Sequence, residues 1–237
     1  MRSRGTQFDQ LSLPGLGEGT AQTWEPAQHV VEGAARFSRE HGRRPTDYSG
    51  LATLQYPTQK AYAGHKEYKA NIGQPMTPET HASYQSMRED IAAQHAHLTK
   101  PESEGGMGFH FEVTQHDPYS TAEEMAADVA NKRIKVLSTE ATGGHAVFSN
   151  LENDQFRAVH DVFGHAATGR GFSRHGEEAA YQAHSQMFRP GSQQALGAEL
   201  RHQTSHLIFT GDFPPNAPVN LSKWAAAPKQ GRIPRSR

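Results

Sequence analysis

The stretch FRAVHDVFGHAATGRGF, residues 156–172, sets His160 and His165 five positions apart, with Asp161 and Gly164 between them. Imidazoles are good ligands for divalent metals, so the question is whether these two can face one ion. The H-E-x-x-H pattern solves that problem with an i, i+4 pair on one helix face. An i, i+5 pair lies about 140° apart on an ideal α-helix. The two rings meet only if the helix ends or distorts between them, and Gly164 is where a distortion is cheapest. Asp161 and His165 are i, i+4 and do share a face. Two geometries are therefore open: His160 with His165, or Asp161 with His165 and His160 nearby.

Carboxylates recur downstream. Glu177, Tyr181, His184 and Phe188 fall on one helical stripe, with Glu178 beside it. Leu196, Glu199, Gln203 and His206 fall on another, and Arg201, off that stripe, is placed to orient a carboxylate of a neighbouring helix. Consecutive helices bearing His and Glu on half-apolar faces build carboxylate–histidine centres inside helical bundles. Two histidines and one carboxylate with open positions make the arrangement used for non-haem Fe(II) chemistry. The chain has no cysteine and 15 histidines. Disulfides, thiolate-bound zinc, iron–sulfur clusters and thiol nucleophiles are excluded. Fe(II) is the preferred ion, with zinc or manganese open. His145, after TGG, reads as a loop residue, the His202/His206 spacing as incidental, and Tyr181 as core.

The segment HDVFGH, His160 to His165, resembles the H-[DE]-x-x-G-H iron-binding motif of the bacterial aromatic amino acid hydroxylases. The likeness covers these six residues. It implies that His160 and His165 both bind Fe(II) and that a later glutamate completes a facial triad. By spacing Glu199 is the first choice for that glutamate, and Glu178 the second. Asp161 would then orient a ligand imidazole from behind, and His184 is a candidate acid/base or additional ligand. In a zinc variant of the same site, Glu178 would serve as general base for a metal-bound water. The wider block FRAVHDVFGHAATGRGF, GEEAAYQAH and ALGAELRHQ is also similar to proteins encoded by bacteriophages of actinobacteria, which implies the host cytoplasm. The competing expectation is a non-catalytic phage protein for structure or host interaction, in which the histidines form a buried polar network.

The elements that must position these residues follow from pattern. Mean hydropathy is −0.77 and net charge −1, so no global field points to nucleic acid or an acidic membrane. No run reaches the length of a membrane span and no secretory leader is expected, so the default location is the cytoplasm. Residues 1–55 read as a disordered or loosely docked arm whose one apolar-periodic piece is AQHVVEGAARF. Within it QLSLPGL, Gln10 to Leu16, resembles the peptides that bind bacterial sliding clamps, which implies a clamp as partner. Thr77 and Pro78 open an amphipathic helix over 78–98 with Tyr84, Met87, Ile91 and Leu98 on one face. Met107, Phe109, Phe111 and Val113 alternate as in a half-buried strand. A short helix opened by Thr121 and Glu124 and a second strand, RIKVLST, follow. Helices are expected at about 152–167, 175–188 and 193–208, the last two broken at RPGS. The fold class is α+β and predominantly α-helical: a strand–helix–strand module, then a helical cluster carrying the site. One globular domain over 56–212 and a Pro-rich basic tail over 213–237 complete the expected layout. The substrate, a small molecule or a nucleotide, is not specified by the residues.

Overall fold

The computed structural model describes residues 24–212 and 217–221. The peptide Gln10–Leu16 lies outside them. The chain is α+β and predominantly helical. Its elements are α1 (Gln28–Glu40), α2 (Thr58–Asn71), α3 (Pro78–Thr99), β1 (His110–Thr114), α4 (Ala122–Ala130), β2 (Arg133–Leu137), α5 (Asn150–His160), α6 (Arg174–Ser185), α7 (Gln193–Leu196) and α8 (Gln203–Thr210). Two π-helical segments interrupt the later helices, Asp161–Ala166 after α5 and Gly197–His202 between α7 and α8.

Local chemistry starts most of these elements where the residues demand. Thr77 Oγ1 accepts the Thr80 N–H at 3.2 Å, with Pro78 in the first turn of α3. Ser149 and Glu152 form a reciprocal capping box at α5, and Ser173 caps α6 through the Gly176 N–H. At α4 Thr121 accepts the Glu124 N–H, while the Glu124 carboxylate takes the N–H of Ser120. Strands β1 and β2 pair in parallel, from His110 opposite Arg133 to Thr114 opposite Leu137. Ile134 and Val136 of β2 are fully buried. The expected inward row on β1 is only partly realised: Met107 and Phe109 are buried just before the strand, and Val113 is 39% exposed.

Helix α3 carries the centre of the core, where Tyr84, Met87, Ile91 and Leu98 join Phe156, Val159, Phe163 and Tyr181. The docked part of the chain is larger than the expected 56–212. In α1, Val30, Ala34 and Phe37 are fully buried in that same core, because their i, i+4, i+7 spacing forms one apolar stripe. Trp24 N–H and Ala27 N–H donate to the carbonyls of Gly169 and Ala166. Gly169 has φ +66, and a Cβ there would meet the Trp24 carbonyl oxygen at 2.1 Å. Buried Arg170 donates to the carbonyls of Leu51, Ala52 and Leu54. Residues 24–55 are thus part of the globular unit, since a buried guanidinium and an apolar helix face both require them.

The tail is also partly structural. Val219 bridges to Ile72, Val219 and Leu221 are buried with Tyr68 and Ala198, and the Leu221 carbonyl accepts from Gln194. No helix among the described residues is long and apolar enough to cross a membrane.

Candidate metal centre

Helix α5 runs into the π segment without a break, and His160 and His165 bracket that segment. Hydrogen bonding from i to i+5 widens the turn, so a residue five along comes round to the same face. The ring centroids end 5.0 Å apart with the planes 80° to each other. This is the distortion that an i, i+5 pair needs. Gly164 makes room for it: a Cβ there would lie 3.0 Å from the Ala180 Cβ and 3.2 Å from His160 Nδ1. The missing side chain lets α6 pack close and lets the His160 ring lie across the turn.

Helix α6 brings the carboxylate. Chain residues 169–173 fold back tightly, and a Cβ on Gly176 would fall 1.7 Å from the Gly171 carbonyl oxygen. That close crossing sets Glu177, in the first turn of α6, against both imidazoles. Its Oε2 lies 3.8 Å from His160 Nε2 and its Oε1 3.5 Å from His165 Nε2. Ligand atoms of His160, His165 and Glu177 all lie within 4.8 Å of one another, and all three residues are buried. Two donors each about 2.1 Å from an ion stand at most about 4.2 Å apart, so a small closure seats one ion among the three.

The far side of each imidazole is committed. Gln94 directs its amide N–H at the Met187 carbonyl, which turns Oε1 toward His184 Nε2 at 2.7 Å. His184 Nε2 therefore carries the hydrogen and Nδ1 is bare. His160 Nδ1, 3.3 Å from His184 Nδ1, donates to it. That leaves His160 Nε2 as a lone pair in the site. His165 Nδ1 donates to the Arg170 carbonyl at 2.9 Å, leaving its own Nε2 bare as well. His160 Nε2 and Glu177 Oε1 are buried without a hydrogen-bond partner. Three acceptors face one point, an arrangement that favours a cation there.

The electrostatics follow. Burial pushes the Glu177 carboxyl up, but in the metal-free site a proton taken up by neighbouring His165 or His160 stabilises the carboxylate, which holds it at about 2. Burial pulls His165 down, yet the Glu177 charge, with help from Asp161 and the Arg170 carbonyl, leaves it raised. Burial lowers His160; Glu177 opposes this in part, and the His165 charge assists it. His184 lies well below the usual imidazole range through burial and its two histidine neighbours.

The other expected site residues have different company. Glu199 lines the same pocket but lies outside the three-residue group; Tyr84 and His145 hold its carboxylate. Glu178 is locked by Arg201, which donates to both its oxygens, so Arg201 does orient a neighbouring carboxylate. Asp161 is buried in the pocket wall. His184 stands behind His160 as its hydrogen-bond partner. His145 does lie in a loop, with its side chain buried against Glu199. Glu177 and Gln94 enter the site where spacing alone points to other residues. Glu177 shares a stripe with His184, and the glycines at 169 and 171 signal a chain reversal that returns α6 to the motif; nothing local marks Gln94.

The pocket over the three residues encloses about 50 Å³, room for an ion and a small ligand or a few waters. Phe156, Phe172 and Leu200 supply its apolar wall. The chain matches no family model, no curated protein and no solved structure.

Proposed function

We propose that the protein is a mononuclear non-haem iron enzyme, an oxidoreductase whose Fe(II) is held by His160, His165 and Glu177. The observation that carries this reading is the convergence of three buried lone-pair donors, two of them imidazoles whose opposite nitrogens are already bonded. A two-histidine, one-carboxylate donor set without sulfur suits Fe(II), and the pocket beside the three residues would leave room for a further ligand. When bound, such an ion supplies one-electron chemistry toward O₂ at those open positions.

The chain's own residues do the rest. Gln94 and His184 hold His160 in the Nε2-bare tautomer, and the Arg170 carbonyl does the same for His165. Glu177 would neutralise part of the charge of a bound ion. Phe156, Phe172 and Leu200 keep bulk water from one side of the pocket. The reading replaces Glu199 by Glu177 as third ligand, and it takes no catalytic part for Glu178, whose oxygens are occupied.

The test is anaerobic loading of untagged protein with Fe(II), followed by elemental analysis and measurement of O₂ uptake with candidate reductants. About one iron per chain, lost in Glu177→Ala and in His160→Ala but retained in Glu178→Ala, is the expected result. Tight binding of zinc in place of iron, with no O₂ uptake, moves the assignment to metal-assisted hydrolysis. No metal in the folded wild type rejects the centre and leaves a polar structural network.

A further inference from the structure

A second carboxylate lines the pocket. Glu199 sits in the π segment Gly197–His202 with its side chain 6% exposed. The Tyr84 hydroxyl donates to its Oε1, and His145 Nε2 stands 3.3 Å from its Oε2. The tautomer of His145 is set by its other nitrogen. His145 Nδ1 accepts the backbone N–H groups of Val147 and Phe148 at 3.1 and 3.0 Å, so it bears no hydrogen. The ring is the neutral form with its hydrogen on Nε2, aimed at Glu199.

Glu199 therefore accepts from two neutral donors and, among the described residues, pairs with no lysine or arginine. Elsewhere Glu178 has Arg201 and Asp90 has Arg43 and Arg189, while Asp154, which does not line the pocket, accepts from the Thr139 N–H and hydroxyl. Arg157 also lines the pocket, but its Nη atoms donate to the Leu137 carbonyl and the Thr142 hydroxyl. A carboxylate withdrawn from water calls for a compensating positive charge. The space beside it is bounded by Phe156, Phe172 and Leu200, and aromatic faces also attract cations.

We propose that Glu199 is the counter-ion for a protonated amine, and that the ligand of this pocket is a small amine with a short apolar body. As a statement about the substrate it rests on the metal-enzyme reading above; the pairing itself needs no metal.

The experiment titrates n-butylamine, cationic at neutral pH, into metal-free and Fe(II)-loaded protein, with protein-detected NMR as readout and butan-1-ol and butyrate as comparisons. Saturable amine binding that shifts the signals of Phe156, Phe172 and Leu200 is expected, about tenfold or more tighter than butan-1-ol. Glu199→Gln is expected to lose that preference and Tyr84→Phe, which keeps the carboxylate, to retain it. Equal binding of the alcohol, preference for butyrate, or an unaltered amine affinity in Glu199→Gln overturns the proposal. If Glu199→Gln does not fold, the three-probe comparison on wild type decides alone. Glu199-dependent amine binding in a protein that takes up no metal sinks only the iron reading; metal uptake without amine binding sinks only this one.

Discussion

His160 and Glu177 are each simple acceptors; what makes them a site is which of their atoms are left over. Gln94 controls this at a distance. Its Oε1 accepts from His184, which accepts from His160, so a side chain on α3 decides which nitrogen of His160 is bare. Partners behind a ligand imidazole typically change metal affinity by 10–100-fold when removed. Gln94→Leu fills similar volume but strands the His184 N–H in the core. The expected outcome is metal affinity weakened about tenfold or more with the chain still folded, read by competition against a chromogenic chelator and by circular dichroism. Unchanged affinity would show that the tautomer chain is not what orients His160.

At the scale of elements, two π turns do the positioning. The first rotates His165 onto the face of His160; the second carries Glu199 and Leu200 into the same pocket. Such turns sacrifice regular i→i+4 bonding and persist where packing over-determines them. The packing here includes α1, whose Ala27 N–H bonds the Ala166 carbonyl at the end of the first π segment. Phe37, fully buried between α1 and α3 and stacked on His41, anchors that helix. Phe37→Ala should cost roughly 3–5 kcal/mol by loss of buried area and a cavity, measured by urea unfolding. A cost near zero would mean that α1 is not integral to the fold.

Over the whole molecule, the many buried histidines set the response to acid. His95, His97 and His184 are lowered from the usual imidazole value, in each case first by burial; for His97 a bond to the Gly33 carbonyl opposes this in part. Below about pH 6.5 the unfolded chain takes up protons that these folded rings refuse. Their contribution is fully present above that pH and is lost as the pH falls toward the depressed folded values. His165 alone among the site histidines runs the other way. Glu177, held at about 2, loses its contribution only below the ordinary carboxylate range. Metal-free protein is therefore expected to be less stable at pH 5 than at pH 7 by denaturant unfolding, and equal or greater stability at pH 5 would contradict the assignment of neutral buried rings.

Much of this was legible in the residues themselves. The apolar face of α3, its Thr77–Pro78 start, the break at RPGS and the α+β, mainly helical class follow from periodicity and capping, which are local properties. The i, i+5 spacing of His160 and His165 with Gly164 between them already required a distorted helix. Tertiary structure decided the carboxylate. Glu177, Glu178 and Glu199 are equivalent by type and close by spacing, and they were separated only by where the 169–173 reversal docks α6 and by whether an arginine or a tyrosine arrived first. It also decided the extent of the domain: the stripe Val30, Ala34, Phe37 is visible in the chain, but its value depends on the face it meets. Gln94 lies far from the motif in the chain and touches it only through His184. Contacts of that kind depend on packing between distant segments, which no local pattern encodes.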